Sequence, residues 1–383
     1  STVSGTGSIT FTAAQTLDLS AGFTNSGTFD AGTGTVGYVL AGAQTVRGNI
    51  TYNQLVLGGT GTKTMGASAT VDGTCTVTST LAIATRTLTM GPSSNLAGAG
   101  PITCTSGTLA IENTWSGTGT FTAGTGTVNY TRAGAQTVRA LTGADACNNL
   151  TLSGSGTKTR AAGTTTVNGV LSPSGSATFS LGTSTLALAG TLTTAGTATL
   201  DLGIGTIDVN GAGTSTVASG TTLLLAASGG NAPTLSFGAG AGPLNVNGTF
   251  RTTWTSGTKP MVTGAAGEAD LNLLGAAVNV TGLDFRNGPA DGLLIGQNGG
   301  VDCVVTKLRF ADFSAMATNG RHLTVIGNGG FAMVGVGCSF AAILGATGAN
   351  IRTDETPNGG AGNFFYHLWH GLALDAVTPV EAG

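Results

Sequence analysis

The sequence predicts an all-β protein folded as a right-handed parallel β-helix, also called a β-solenoid. Short runs in which Val, Leu or Phe alternate with Thr or Ser recur along the chain, and β-branched residues favour strands. Gly accounts for 66 of the 383 residues and lies between these runs, where turns require it. No segment has a sustained helical apolar period, so we expect helices to be nearly absent.

An internal duplication distinguishes among the all-β architectures. The segment Gly27–Gly73 returns as Gly119–Gly169, and within it Ala41–Arg47 returns as Ala133–Arg139, 92 residues later. Beyond that point the offset is 95, so three residues enter the second copy near Leu141–Cys147. Repetition is typical of stacked folds in which each unit buries its apolar face against its neighbours. The duplication therefore favours a solenoid, and tandem β-sandwich modules of about 90 residues are the alternative.

The predicted strands are short, and Gly-rich turns separate them. In chain order the clearest are Ser8–Thr12, Thr35–Val39, Asn53–Leu57, Thr74–Thr78, Thr108–Glu112, Leu150–Leu152, Thr165–Val170, Thr222–Leu225 and Leu244–Val246. The turn dipeptides include Asp72-Gly73, Asn168-Gly169, Asn210-Gly211 and Asn247-Gly248.

A change in composition near Phe250 divides the chain into two predicted regions. Residues 1–250 contain 7 basic and 7 acidic residues, whereas residues 251–383 contain 7 and 10 in about half the length. We expect 1–250 to be a Thr- and Gly-rich duplicated shaft. We expect 251–383 to form β-helix coils that end in an aromatic cap or contact region.

A shorter rhythm runs through the second region. Val280–Phe285 resembles Val305–Phe310, 25 residues later, and Cys338–Phe340 echoes the end of both. This spacing suits one turn of a parallel β-helix. It would place Asp284 and Arg309 side by side on the outside of adjacent coils, as a charge pair worth at most about 1 kcal/mol. Two interior files would form, one of Leu283, Leu308 and Cys338 and the other of Phe285, Phe310 and Phe340.

Charge excludes some classes of partner. Charged residues are 8% of the chain, against roughly 25% in a typical soluble domain. The 14 Lys and Arg residues form no basic cluster, so we expect no nucleic-acid partner. One stretch without Lys, Arg, Asp or Glu, His322–Ile351, is rich in Gly and falls into β-like pieces, so we expect no membrane span. A surface so poor in charge favours self-association.

The cysteines and the first residue bear on the compartment. None of the five cysteines has the spacing of a zinc site, and the odd count excludes a fully paired intrachain framework. Cys75 and Cys104 each lie within a Thr-Cys-Thr triplet, which favours a buried free thiol over a disulfide. The chain begins at Ser1, as a processed secreted protein would.

Part of the chain resembles known proteins. Gly126–Leu171, which includes Ala133–Val138 and Asn148–Thr159, resembles the β-strand repeats of very large bacterial surface and secreted proteins, among them autotransporter-like and filamentous adhesins. The resemblance covers about the first 200 residues. The region Asp284–Asn363 resembles, in rhythm, the late coils of pectin-lyase-like right-handed β-helices. The resemblance implies an extracellular, elongated and mainly structural molecule.

The densest aromatic cluster lies near the C-terminal end. Its candidate contact or cap residues are Phe364, Phe365, Tyr366, His367, Trp369 and His370. His367 and His370 would face opposite sides of an extended strand, so we predict no metal site. A hydrophobic cap, or a subunit contact in its place, is the main interpretation, and sugar binding is the alternative. We predict no catalytic residue and no cofactor.

The sequence therefore predicts an extracellular structural protein that forms or decorates a filament, surface layer or adhesive fibre by solenoid stacking. Its expected partners are further copies of itself or other surface components, with polysaccharide as a further class. The alternative function is a carbohydrate-binding or carbohydrate-cleaving β-helix, such as a phage tail fibre or tailspike. A passive spacer within a longer adhesin is a third interpretation.

Overall fold

The computed structural model describes residues 3–265, 268–301 and 303–314, and beyond these the strand segments 323–327, 332–336, 339–340, 351–355, 364–368 and 381–382. The chain is almost entirely β, with 53% of residues in strands and 1% in helix. It divides into two compact units, one of Ser1–Lys158 with Thr165–Val170 and the other of Thr159–Thr164 with Leu171–Gly383. The composition break at Phe250 lies within the second unit.

The first unit contains twenty strands and one short helical turn among its described residues. They are β1 (Ile9–Thr10), β2 (Thr16–Leu19), β3 (Phe29–Asp30), β4 (Thr35–Tyr38), β5 (Gln44–Val46), β6 (Thr51–Tyr52), β7 (Gln54–Leu57), β8 (Thr62–Met65), β9 (Ala69–Val71), β10 (Thr74–Val77), β11 (Thr80–Ala84), β12 (Thr87–Met90), β13 (Asn95–Ala97), β14 (Ile102–Cys104), β15 (Thr108–Ile111), β16 (Thr114–Trp115), β17 (Phe121–Thr122), β18 (Thr127–Tyr130), β19 (Gln136–Val138), the 3₁₀ turn η1 (Gly143–Asp145) and β20 (Asn149–Leu152).

The remaining strands follow in chain order. Three run across the division between the units, namely β21 (Ser155–Arg160), β22 (Thr164–Val167) and β23 (Val170–Pro173). The second unit contains β24 (Ser176–Ser180), β25 (Thr185–Leu188), β26 (Thr191–Leu192), β27 (Thr199–Asp201), β28 (Thr206–Val209), β29 (Ser215–Val217), β30 (Thr222–Ala226), β31 (Thr234–Phe237), β32 (Leu244–Val246), β33 (Thr249–Thr253), β34 (Met261–Gly264), β35 (Leu271–Leu274), β36 (Ala277–Arg286), β37 (Leu293–Gly296), β38 (Val304–Ser314), β39 (Leu323–Gly327), β40 (Ala332–Val336), β41 (Ser339–Phe340), β42 (Ile351–Glu355), β43 (Phe364–Leu368) and β44 (Glu381–Ala382).

Each unit is a parallel β-helix. In the first unit one ladder joins β2, β4, β7, β10, β13 and β16, a second joins β5, β8, β11, β14 and β17, and a third joins β6, β9, β12, β15, β18 and β20. Successive coils of this unit are 18 to 22 residues long, as the partners Lys63↔Leu81 and Val128↔Leu150 show. A β-sandwich is built from antiparallel sheets, so the parallel pairing excludes the sandwich alternative.

Side-chain alternation separates the interior from the surface of each coil. Val36, Leu55, Cys75 and Leu96 follow one another inward along the first ladder and are at most 1% exposed. Thr residues alternate with them and stack outward, for example Thr87 on Thr108 and Thr127 along the third ladder. Burial of the apolar file drives folding, and the outward Thr positions tolerate the β-conformation because Thr is β-branched.

The second unit has the same construction with longer coils. The partners Phe179↔Leu200 lie 21 residues apart, whereas Phe250↔Val278 lie 28 apart. Its ladders join β24, β27, β30, β33, β36 and β38; β25, β28, β31, β34 and β36; and β29, β32, β35, β37, β39, β42 and β44. Parallel connections of this kind are expected to be right-handed.

The predicted pair of Asp284 and Arg309 is wrong. Strand β36 pairs with β38 at an offset of 28, so that Asp284 lies opposite Asp312 and Arg309 lies opposite Thr281. Asp284 forms its ion pair with Arg286 on its own strand instead, with Arg286 Nε donating to Oδ1 at 2.8 Å.

The error has an identifiable cause. Strand β38 contains two similar triplets, Leu308-Arg309-Phe310 and Ala311-Asp312-Phe313, and sequence similarity selected the first. The structure uses the second, so Phe285 stacks on Phe313 with ring centroids 6.0 Å apart. The inward direction of Phe285 was predicted correctly, and the offset was three residues too short.

The cysteine prediction is confirmed. Cys75 and Cys104 are free and buried, and burial raises the pKa of both thiols to about 12. Cys147 and Cys303 are also buried, while Cys338 lies outside the described residues. In the described part of the chain no helix combines the length and apolar character needed to cross a bilayer.

Candidate functional site

The duplicated segment builds the same interruption of the coil twice. At the first copy, β3 pairs with β1 and Phe23 bridges to Val3 in the coil before, whereas β5 and β6 of the next coil each begin a new ladder. Among the described strands, the pairing of β4 with β7 continues across this point. At the second copy β16 and β17 end their ladders, and the pairing of β18 with β20 continues. We call these places the first and second ladder breaks.

A glutamine side chain replaces part of the missing backbone pairing at each break. Gln44 Nε2 donates to the carbonyls of Leu19 at 2.9 Å and Ala21 at 3.0 Å in the preceding coil. Gln136 repeats the arrangement and donates to Ile111 O at 2.8 Å. Both glutamines are buried, at 7% and 6% exposure. Leu19 O and Ile111 O also accept from Val39 N and Thr131 N, so each glutamine adds a side-chain donor across the break to the backbone bond.

An arginine follows three residues later and spans the same gap. Arg47 Nη2 donates to Gly27 O at 2.7 Å, and its guanidinium lies 4.8 Å from the centroid of the Phe23 ring. Arg139 makes the equivalent bond to the corresponding glycine at 2.7 Å and lies 4.6 Å from the Trp115 centroid. The aromatic residue differs between the copies, but it presents a face to the cation in both.

Tyrosine hydroxyls fix the chain that carries these arginines. Tyr38 OH accepts from Arg47 N at 2.9 Å, and Tyr130 OH accepts from Arg139 N at 3.0 Å. In the first copy Tyr52 adds a second hydroxyl, which lies 2.9 Å from Tyr38 OH and donates to Arg47 O at 2.7 Å. Burial raises the pKa of Tyr38 and raises that of Tyr52 well above its usual value.

A buried lysine completes each cluster. Lys63 and Lys158 have no exposed surface, and burial lowers the pKa of both. Lys63 Nζ donates to the carbonyls of Leu40 at 2.8 Å, Gly42 at 2.9 Å and Thr60 at 3.0 Å. Lys158 Nζ donates to the carbonyls of Arg132, Gly134 at 3.1 Å and Ser155 at 3.2 Å. Three donors thus meet three acceptors, and they join adjacent coils at the corner.

The two breaks differ where three residues enter the second copy. The inserted residues form η1, and Asp145 Oδ1 accepts from Phe121 N at 2.9 Å. Leu141 and Cys147, on either side of η1, are buried against the coil. Cys147 stands where the first copy has Tyr52. This intrachain segment therefore covers the second break.

At the first break the corresponding place is an open groove of about 860 Å³. It is lined by Asn25, by Phe29 on β3, by Arg47 and by Thr51 on β6. An adjoining groove of about 240 Å³ shares Phe29 and Thr51 and adds polar residues. Those polar residues are Asp30, Asn53 and Asp72.

The sequence-predicted contact residues lie elsewhere. Phe364, Phe365, Tyr366 and His367 are on β43, whose backbone pairs in parallel with β40. Trp369 and His370 lie outside the described residues. The cap or contact role of this segment stays a prediction. The polar clusters of the duplication were missed, although the identical Gln, Arg and Lys in both copies were the signal that could have found them.

Known proteins add no identification. No family model, no curated protein and no solved structure matched the chain. Within the described residues no group of three or more His, Cys, Asp or Glu side chains is placed to hold a metal ion.

Proposed function

We propose that the chain is an extracellular structural β-solenoid that forms or decorates a filament, surface layer or adhesive fibre. The observation that carries the proposal is the register of the ladders, which stacks apolar residues inward and Thr outward coil after coil. Examples of the outward columns are Thr70 on Thr89 in the first unit and Thr178 on Thr199, Thr222 and Thr249 in the second. A surface that repeats at the strand spacing suits lateral and axial packing better than it suits a single small-molecule site.

The clusters at the ladder breaks support a structural role. Gln44, Arg47 and Lys63 use buried hydrogen bonds to join coils whose backbone pairing is interrupted. Each cluster removes several polar groups from water, and the hydrogen bonds offset the free-energy cost of that desolvation. Low surface charge removes the repulsion that otherwise keeps such faces apart.

Negative-stain electron microscopy of the purified full chain tests this function. We expect fibres or sheets with a regular axial repeat at near-neutral pH and moderate salt. Particles that stay monomeric at all concentrations and that shorten a polysaccharide would overturn the proposal.

A specific observation favours a second candidate function, carbohydrate binding. The half-buried ring of Phe29 lies beside two exposed carboxylates, Asp30 and Asp72, in the smaller groove. Aromatic rings stack on sugars, and carboxylates accept hydrogen bonds from their hydroxyls. Binding of neutral oligosaccharides that is lost in the double substitution Asp30→Asn, Asp72→Asn would support this candidate.

A further inference from the structure

Two strand edges face each other across the first ladder break. Strand β3 bonds to β1 through Thr28 O and Asp30 O, so the N–H and C=O of Phe29 point away from β1, since alternate residues of a parallel strand face opposite sides. Strand β6 bonds to β9 through Ile50 O and Tyr52 O, so the N–H and C=O of Thr51 point away from β9. Both residues line the groove, and within the described residues β3 and β6 pair with no strand there.

The second copy shows which chemistry fits this place. Phe121 corresponds to Phe29, and its N–H, which likewise points away from its own ladder, donates to the Asp145 carboxylate at 2.9 Å. Burial lowers the pKa of Arg139, and the negative charge of Asp145 partly opposes this shift. The carboxylate of Asp145 therefore satisfies the backbone N–H and acts on the arginine through its charge, while Nη1 of Arg139 has no hydrogen-bond partner in the described part of the chain.

Two side chains that line the groove have buried polar atoms without a hydrogen-bond partner among the described residues, which such a ligand would supply. Asn25 is 6% exposed, and its Oδ1 has no hydrogen-bond partner in the part of the chain that the structure describes. The same holds for Nη1 of Arg47. Both side chains line the groove. Asn25 is absent from the second copy, where Gly117 takes its position. An occupant would thus supply a carboxylate to Arg47 and a donor to Asn25.

The charges of nearby aspartates distinguish an acidic polysaccharide from an acidic peptide as the ligand of the groove. Asp30 and Asp72 line the adjoining groove, which shares Phe29 and Thr51 with the groove that Arg47 lines. A polyuronate bears a carboxylate on every sugar and would bring like charges onto these two aspartates. An extended peptide with one acidic side chain avoids that repulsion, and its backbone supplies the alternating donors and acceptors that β3 and β6 leave open.

We propose that the groove at the first ladder break binds an extended peptide through β-strand addition, with one Asp or Glu side chain of the peptide placed at Phe29 N and Arg47. This binding site goes beyond the proposed structural function and does not depend on it. A partner protein that carries such a peptide would attach to the side of the first unit.

Fluorescence anisotropy on the full chain tests the proposal without any substitution in the protein. The probe is a labelled, end-capped peptide with the sequence of residues 140–149 in which Ser replaces the cysteine, and its control has Asn in place of the aspartate. We expect saturable binding of the Asp peptide with a Kd below about 1 mM and about tenfold weaker binding of the Asn peptide. No saturation, equal affinity of the two peptides, or full displacement of the peptide by an equal concentration of oligogalacturonate would each overturn the proposal.

A matched pair of variants locates the site. Arg47→Lys and Arg139→Lys remove the same guanidinium contacts from the two copies, but only Arg47 lines the groove. We expect Arg47→Lys to weaken peptide binding about tenfold and Arg139→Lys to leave it unchanged. Circular dichroism checks that both variants are folded, and an equal effect of the two substitutions would contradict the location.

Discussion

The two copies of the duplicated segment, Gly27–Gly73 and Gly119–Gly169, build one polar cluster in two different settings. In the first copy β4 belongs to the ladder of β2 and β7, whereas in the second its counterpart β18 belongs to the ladder of β15 and β20. The copies therefore occupy different faces of the coil, and the cluster of Gln, Arg, Tyr and Lys is nevertheless the same. The sequence of the duplicated segment therefore specifies the cluster, whichever ladder the segment joins.

The copies differ chiefly in three inserted residues near Leu141–Cys147, beside the replacement of Tyr52 by Cys147. Those residues give the second copy η1 and the carboxylate of Asp145, and the first copy keeps a groove. The comparison shows that a β-solenoid can interrupt its backbone pairing where side chains supply hydrogen bonds between the coils. It also teaches that a small insertion decides whether the interruption is covered or open.

The largest expected effect tests whether both lysines act alike. Lys63→Met and Lys158→Met each remove the buried Nζ donor that joins three carbonyls, so we expect each to lower the free energy of unfolding by about 3 kcal/mol. Urea denaturation measures it. Lys259, which pairs with Asp312 at 2.6 Å nearer the surface, is the control, and its change to Met should cost less than about 1 kcal/mol. A loss below about 1 kcal/mol at either buried lysine would show that water already reaches these carbonyls.

The next effect tests the glutamine that replaces backbone pairing. Gln44→Leu and Gln136→Leu keep the side-chain volume but remove the side-chain donor from one buried and one half-buried hydrogen bond, so each should cost about 2 kcal/mol. Gln54 is exposed on β7, and Gln54→Leu should change stability by less than about 0.5 kcal/mol. If the two buried glutamines gave clearly different losses, the two clusters would not be equivalent.

The fold class was predictable from the sequence because it depends on local residue patterns. Alternation of Thr with Val or Leu and Gly at turns specify short strands, and the duplication indicates stacking. The register at Asp284 was not predictable by similarity, since β38 holds two triplets of the same pattern and the packing of Phe285 on Phe313 chooses between them. The burial of Lys63 was not predictable from local pattern, because it depends on the carbonyls of Leu40 and Gly42, which lie more than 20 residues earlier in the chain.

A smaller effect, specific to the first copy, comes from the paired tyrosines. Tyr52→Phe removes the bonds to Arg47 O and Tyr38 OH and should cost about 1.5 kcal/mol at neutral pH. Because burial raises the pKa of Tyr52 above its ordinary value of 10.0, the unfolded chain ionises first as the pH rises. The contribution of Tyr52 is therefore complete below pH 10 and is lost above it. Denaturation at pH 7 and pH 10.5 should show the wild-type advantage over Tyr52→Phe shrinking, and a constant difference would be inconsistent with a buried neutral hydroxyl.

The smallest effect in free energy addresses the difference between the copies most directly. Asp145→Ala removes the acceptor of Phe121 N, so we expect a loss of about 1 kcal/mol and, more tellingly, a change in amide exchange. In the wild-type chain the Phe121 amide should exchange more slowly than that of Phe29, because only Phe121 has a hydrogen-bond acceptor in the described structure.

In the Asp145→Ala variant the two rates should approach each other, while exchange at the shared strands β4 and β18 stays unchanged. Asp72→Ala, which removes an exposed carboxylate from the first copy, should leave both phenylalanine amides as they were. Hydrogen exchange followed by mass spectrometry with residue-level fragmentation resolves these amides. Equal protection of Phe29 and Phe121 in the wild-type chain would mean that the first ladder break is closed in solution, and the groove would then lose its role as a binding site.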